Sequence, residues 1–330
     1  MKTSILLLLI SLPFHLIAQQ PELGINLENY TYPFQEKYHN LFSQGQKLSM
    51  AYLYEKAGKS NGITIVLFHG KNFNGAYWAN TMERLLRDGY DVLAPDQIGF
   101  GKSTKPEYYH YTFHQLAENT RGLIDSLNID NAILLGHSMG GMLATRFALM
   151  FPEKVSKLIL ENPIGLEDWK LKVPYKTIDE WYQNELGKSK EGLKNYMLKN
   201  YFDNEWKKEY DNLVYLNTAF LASPDYPRLA WNSALTYDMI FTQPVYYEFK
   251  NLKVPTVLII GLRDRTALRK NEVETNIAET MGNYPEISKE VTNLIPDAEL
   301  IPLEGIGHIP HIEDFNLFIE KLLEAIKKQI

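Results

Sequence analysis

The chain contains no cysteine. That absence excludes disulfide bonds, thiolate metal sites and a lipid carried on cysteine. Positive charge is not in excess either: 34 Lys and Arg against 40 Asp and Glu leave a formal charge of −6 and a pI near 5.8. Nucleic acid and anionic lipid surfaces therefore lack the electrostatic footprint they need. No internal repeat and no low-complexity linker is visible. A membrane-spanning apolar run is missing as well, and the nearest approach is at the amino terminus. There Lys2 precedes an apolar stretch from Ile5 to Leu12, continued by Phe14, Leu16 and Ile17 and ending in Ala18-Gln19-Gln20. It falls short of the roughly 20 residues a spanning helix requires and is broken by Pro13 and His15. Residues 1–20 read as a signal peptide, cleaved after Ala18 or Gln20. The mature chain is expected in a periplasm or outside the cell, with no stable membrane anchor after cleavage.

What is present is an ordinary folding composition, 45% hydrophobic and 22% charged in 330 residues, enough for one large domain carrying an insertion. After a Tyr- and Pro-bearing lead-in, Leu48, Met50, Tyr52 and Tyr54 alternate as a strand does, and Gly58 to Gly62 form a turn. Strands then alternate with helices. Ile63–Phe68, Tyr90–Pro95, Ala132–Leu135 and Val155–Leu160 read as strands; Ala76–Asp88, Phe113–Leu127 and Met139–Phe151 read as helices. Such alternation predicts a mostly parallel sheet covered on both faces. The rhythm breaks between about Ile164 and Lys253, where no short Val/Ile run occurs and four of the five tryptophans sit among many tyrosines. This stretch reads as a helical insertion. The alternation resumes with a strand at Thr256–Ile260, a helical stretch through about Ile295, a strand at Glu299–Leu303 and a helix from Phe315 to about Lys328.

The strongest chemical signal is Gly136-His137-Ser138-Met139-Gly140, set between an apolar strand and a helix. It fits G-x-S-x-G in the required context. Glycines two residues either side of the serine are needed because the turn is too tight for side chains there. The helix start offers free N–H groups to negative charge. Ser138 is the candidate nucleophile.

With that motif stand His69-Gly70 after a strand, Ala94-Pro95-Asp96-Gln97-Ile98-Gly99-Phe100-Gly101-Lys102-Ser103, Gly261-Leu262-Arg263-Asp264, and Gly307-His308-Ile309-Pro310. In these pieces, over nearly the whole mature chain, the sequence resembles the α/β-hydrolase superfamily. Within it the likeness is to the capped branch of serine esterases, non-haem haloperoxidases and meta-cleavage hydrolases. The resemblance implies an α/β fold with a mostly parallel central sheet flanked by helices and a helical cap inserted after the sixth strand. The hydrolase core then comprises residues 21–163 and 254–330, with the cap at 164–253. The interval between Asp264 and His308 is longer than the family shows, and an extra loop is expected near Asn283-Tyr284-Pro285.

The G-H-x-P pattern selects His308 as general base, with His311 the alternative. A serine hydroxyl needs such an imidazole to take its proton. Asp264 is the candidate acid, holding the imidazole in the correct tautomer; Glu161 and Asp168 are the fallback acids. The family's oxyanion hole implies the backbone N–H groups of Lys71 and Met139. The Lys71 side chain is read as reaching solvent, with a cation at the site's mouth as the alternative. His69 is read as structural, and Asp96 as bracing its loop.

Rival readings are weaker. Gly101-Lys102-Ser103 hints at a phosphate loop, but that motif needs glycine where Asp96 stands. Epoxide hydrolases and haloalkane dehalogenases of this fold use an aspartate nucleophile, which Ser138 is not. Meta-cleavage enzymes usually carry Asn where His137 stands, and proline iminopeptidases Trp where Met139 stands. A receptor that retains the triad is the non-enzymatic alternative. The expected activity is hydrolysis of a carboxylic ester or lactone through an acyl-enzyme, with no metal or organic cofactor, by a monomer or homodimer. The aromatic cap carries Trp169, Trp181, Trp206 and Trp231 with Tyr182, Tyr196, Tyr201, Phe202, Tyr215, Phe220, Tyr237 and Phe241; some of these rings are expected to line an apolar pocket over Ser138 that suits a bulky ester, a macrolactone such as a macrolide antibiotic being one such class.

Overall fold

A computed structural model describes residues 22–328; the signal-peptide reading lies outside them. Eight strands form one sheet: β1 (Glu36–Ser43), β2 (Gln46–Glu55), β3 (Thr64–Phe68), β4 (Asp91–Pro95), β5 (Ala132–His137), β6 (Val155–Glu161), β7 (Thr256–Gly261) and β8 (Ala298–Leu303). Their order is β1-β2-β4-β3-β5-β6-β7-β8. β1 and β2 pair antiparallel, β2 meets β4 antiparallel, and the remaining pairs are parallel. The parallel strands β3, β4, β5 and β7 are buried at every residue. Continuous Val/Ile/Leu runs are what a strand covered on both faces requires.

Helices supply that cover. α1 (Ala79–Arg87) and α11 (Phe315–Lys327) lie on one face. α2 (Phe113–Ser126), α3 (Met139–Met150) and α9 (Tyr284–Leu294) lie on the other. Local sequence sets their starts: Thr112 Oγ1 accepts the Gln115 N–H at 2.9 Å, and Asp314 Oδ1 accepts the Leu317 N–H at 3.1 Å. Each satisfies a donor the helix leaves orphaned.

β1 falls in the stretch read as a lead-in. Its exposed positions, Tyr38, Asn40 and Phe42, alternate with partly covered ones along the sheet edge, so it lacks the Val/Ile run that marks an interior strand. Counting β1, Val155–Glu161 is the sixth strand, and helices follow it: α4 (Ile178–Leu186), α5 (Lys190–Asn200), α6 (Asp211–Thr218) and α7 (Tyr226–Thr242). Asn232 of α7 ties them to the core, donating to Pro106 O at 3.0 Å and accepting from the Tyr111 hydroxyl.

The expected loop near Asn283-Tyr284-Pro285 is a correction. Asn283 is the N-cap of α9, and Pro285 sits in its first turn, where a missing N–H costs nothing. The irregular stretch lies earlier, in residues 265–282, which carry the short helix α8 (Thr275–Ala278). Part of this segment becomes a wall of the cavity described below.

Phe318 of α11 is fully buried in the core that includes Met82 and Leu85 of α1. Phe318→Ala should therefore lower the free energy of unfolding by about 3–5 kcal/mol, read as a shift in the urea midpoint. The half-exposed neighbour Phe315→Ala should cost clearly less.

Candidate active site

Strand register brings the site together. Phe68 of β3 lies opposite Gly136 of β5, so the loop His69-Gly70-Lys71 and the turn at Ser138 leave the sheet side by side. They do so where the strand order reverses, the usual place for a site in such sheets. His137 lies opposite Glu161, and Gly261 opposite Leu303. The loops carrying Asp264 and His308 thus start next to one another.

Ser138 adopts φ 56° and ψ −122°, a conformation that costs energy for a residue with a side chain. The glycines around it make the turn possible. A Cβ on Gly136 would stand 2.4 Å from Gly140 O, and one on Gly140 would stand 2.1 Å from Phe68 O. The turn projects Ser138 from the head of α3, and the amides of Met139 and Lys71 have no acceptor among the described residues.

His308 Nε2 lies 3.0 Å from Ser138 Oγ and its Nδ1 lies 2.7 Å from Asp264 Oδ2. A carboxylate only accepts, so Nδ1 carries the proton and Nε2 is left bare toward the serine. Burial pushes the Asp264 carboxyl up, but His308 and the N–H of Thr266 outweigh it and hold the group below its ordinary value. Oδ1 takes that Thr266 N–H at 2.8 Å, and Oδ2 also accepts from Asn162 Nδ2 at 2.9 Å. Asn162 was not among the residues singled out in the sequence. Its Oδ1 accepts the Gly261 N–H at 2.8 Å, so one amide locks the loop of the acid to the end of β6. The only signal for it was its place immediately after that strand.

Two further contacts set His308. His137 Nε2 donates to His308 O at 2.8 Å, which leaves His137 Nδ1 to accept from Tyr77 Oη at 3.1 Å. Tyr77 Oη in turn accepts the Gly70 N–H at 3.0 Å. This buried chain joins the loops of all three strand ends. Burial holds His137 down to about 3, so it stays neutral and keeps this pattern.

The alternatives lie elsewhere. His311 Nδ1 is 2.8 Å from Glu161 Oε1, and the same oxygen accepts the His311 N–H at 2.9 Å. Its ring stacks on Trp78 with centroids 4.2 Å apart. Glu161 thus fixes α10 (Pro310–Glu313), the short helix after His308, and does not touch His308. Asp168 accepts from Tyr247 Oη at 2.9 Å and from the Lys170 N–H at 3.0 Å. His69 donates from Nδ1 to Gly70 O at 2.9 Å and accepts the Gln97 N–H at 3.1 Å. Asp96 takes Tyr32 Oη at 2.7 Å, the Gly75 N–H at 2.6 Å and the Lys102 N–H at 2.7 Å. The Lys71 side chain does not reach solvent. It is buried and runs into the cap, where Nζ donates to Ser233 Oγ at 2.7 Å.

Above Ser138 and His308 opens a cavity of about 400 Å³. Of the cap aromatics, Trp169, Trp181, Tyr196, Tyr201 and Tyr237 line it, and Tyr201 stacks on the His308 ring at 4.9 Å. Others pack among themselves: Phe202 stacks on Tyr210 at 3.7 Å, and Tyr182 meets Trp231 edge-on at 5.5 Å. Thr266 to Arg269, from the irregular stretch after β7, close one side. Among the described residues no group of three or more His, Asp or Glu side chains converges as metal ligands would.

Comparison with known proteins places this architecture. The family model described as alpha/beta hydrolase fold matches residues 63–315. A probable hydrolytic enzyme from Pseudomonas aeruginosa PAO1 shares 45% identity with a TM-score of 0.92, covering 93% of this chain and 99% of that one. The 2-hydroxy-6-oxo-2,4-heptadienoate hydrolase of Pseudomonas putida is 36% identical over 107 residues, which is 32% of this chain and only 39% of that relative's length. An esterase from Exiguobacterium antarcticum shares the fold, with a TM-score of 0.68 at 20% identity over 85% of this chain and 96% of that one.

Burial pushes the Glu161 carboxyl up to about 7, against the hydrogen bond from the His311 N–H. The folded state then holds a proton that the unfolded chain has released, so stability falls as pH rises from about 4.5 to 7 and levels off above. Glu161→Gln cannot lose that proton. Its stability relative to wild type should climb over this pH range in urea unfolding; a pH-independent difference would show that the carboxyl is not raised.

Proposed function

This chain belongs to the alpha/beta hydrolase family, and on that footing we propose that it hydrolyses a carboxylic ester or lactone through an acyl-enzyme on Ser138. The single observation that carries the reading is the relay Asp264–His308–Ser138, at 2.7 and 3.0 Å, opening on an aromatic-walled cavity. His308 takes the hydroxyl proton as Ser138 Oγ attacks the carbonyl carbon. Asp264 stabilises the imidazolium that forms. Negative charge gathers on the carbonyl oxygen, which the N–H groups of Met139 and Lys71 receive without reorganisation. His308 returns the proton to the departing alcohol, and a water activated by the same base releases the acid. The steps need only the chain's own groups and one water.

A bulky, moderately apolar ester is the substrate the ringed cavity favours, and macrolactones such as macrolide antibiotics belong to that class. The N-terminal segment adds export, so the substrate is met outside the cytoplasm. Carbon–carbon hydrolysis is the second reading, favoured by the identity to the Pseudomonas putida enzyme; parallel assays of esters and of vinylogous 1,5-diketones separate the two.

Ser138→Ala should lower kcat on the order of 10⁴- to 10⁶-fold with the fold intact. Asp264→Asn should cost on the order of 10⁴-fold through the wrong tautomer, while Asp168→Asn should cost little. Residual Ser138→Ala activity above about a tenth of wild type contradicts the assignment. For the bulky lactone, incubation with macrolides should give products heavier by one water. Intact macrolides beside rapid turnover of short p-nitrophenyl esters would replace it with a small-ester site.

A further inference from the structure

Lys71 contributes its amide to the site and its side chain to the wall between core and cap. Its Nζ lies 4.2 Å from the Tyr237 ring centroid and 5.7 Å from that of Phe100. One of its three N–H donors is used, by Ser233 of α7. The neighbouring carboxylate of Glu185 on α4 accepts from Lys188 Nζ at 2.9 Å. Burial pushes Glu185 up, but Lys188, Lys71 and the Ser233 hydroxyl outweigh it and keep it ionised. Glu185 is thus paired with Lys188 and acts on Lys71 from longer range. Elsewhere on the cavity wall Arg269 and Glu272 pair at 2.8 Å and cancel. Among the described residues no carboxylate lies within ion-pairing distance of Lys71. Burial pulls the ammonium down to about 7, the cost of a charge with too few acceptors. Lys71 lines the cavity that holds Ser138 and His308, and so does Tyr237, over whose ring its Nζ lies; Nζ keeps spare donors there and is charged below about pH 7.

We infer that Lys71 Nζ is a specificity-determining group, recognising an oxygen acceptor on the acyl portion of the substrate and binding a carboxylate there more tightly than a hydroxyl. An incoming oxygen takes the unused N–H groups, and an anionic one also balances the surplus charge, which makes the hydrogen bond short and strong. Because the same residue supplies an oxyanion donor, the acceptor must lie within a lysine side chain's length of the carbonyl, a few bonds along the acyl chain. A plain hydrocarbon acyl group leaves the donors empty. The inference deepens the ester reading and rests on it for the bond that is broken.

The test is calorimetric binding to the Ser138→Ala protein, which cannot consume the ligand. Methyl butyrate, methyl 3-hydroxybutyrate and monomethyl glutarate are the probes. The glutarate ester should bind about tenfold or more tightly than the butyrate, with the hydroxybutyrate between them. Adding Lys71→Met should erase that ranking, and adding Lys71→Arg, which keeps the cation, should retain part of it; the Arg variant guards against a Met variant that does not fold. Equal binding of the three esters, or a ranking that survives Lys71→Met, overturns the inference. Turnover of the same esters by the wild-type chain tests the ester reading separately. A Lys71-dependent ranking without turnover would refute that reading and leave the recognition standing.

Discussion

Everything at the site depends on one strained turn. Ser138 is held at φ 56° because two glycines let the turn press against the end of β3, and no side chain fits between them. That contact sets the head of α3, the direction of Ser138 Oγ and the place of the two free amides. The strain is tolerable because the flanking strand is buried at every residue and α3 behind it is nearly so, so the energy of packing far exceeds the cost of one unfavourable backbone conformation.

From that turn outward, polar groups are positioned by other buried polar groups. Asn162 fixes Asp264, Asp264 fixes His308, and His137 with Tyr77 ties His308 back to the loop of Lys71. Each link spans a different strand end, so the sheet's register is the scaffold for the geometry. The Glu161–His311 pair does the same for the helix after His308, and it explains why two acidic or basic alternatives so near the triad are unavailable for the chemistry. Lys71 extends the same logic upward, joining the loop after β3 to α7 of the cap through Ser233.

Much of this was legible in the sequence, for physical reasons. The interior strands declare themselves as Val/Ile/Leu runs, and Gly136 to Gly140 can be read because only glycine fits there. β1 was not legible, since an edge strand needs no such run. Asn162 was not, since nothing in one sequence distinguishes an asparagine that braces a carboxylate from one in a turn. The helix start at Tyr284 was not legible either: Asn283 and Pro285 suit a loop and a helix start equally well, and packing of Tyr284 and Val291 against the core decided for the helix. The Lys71 side chain was read as solvent-bound because lysine usually is; its burial depends on how the cap lies over the loop, which no local pattern records.

Ser138 is the proposed nucleophile, activated by His308. The most direct measurement is mass spectrometry of the protein after exposure to a p-nitrophenyl alkylphosphonate. One adduct per chain is expected, on the peptide containing Ser138, and none in the His308→Ala protein. An adduct on another residue, or labelling of Ser138 at an undiminished rate without His308, would contradict it.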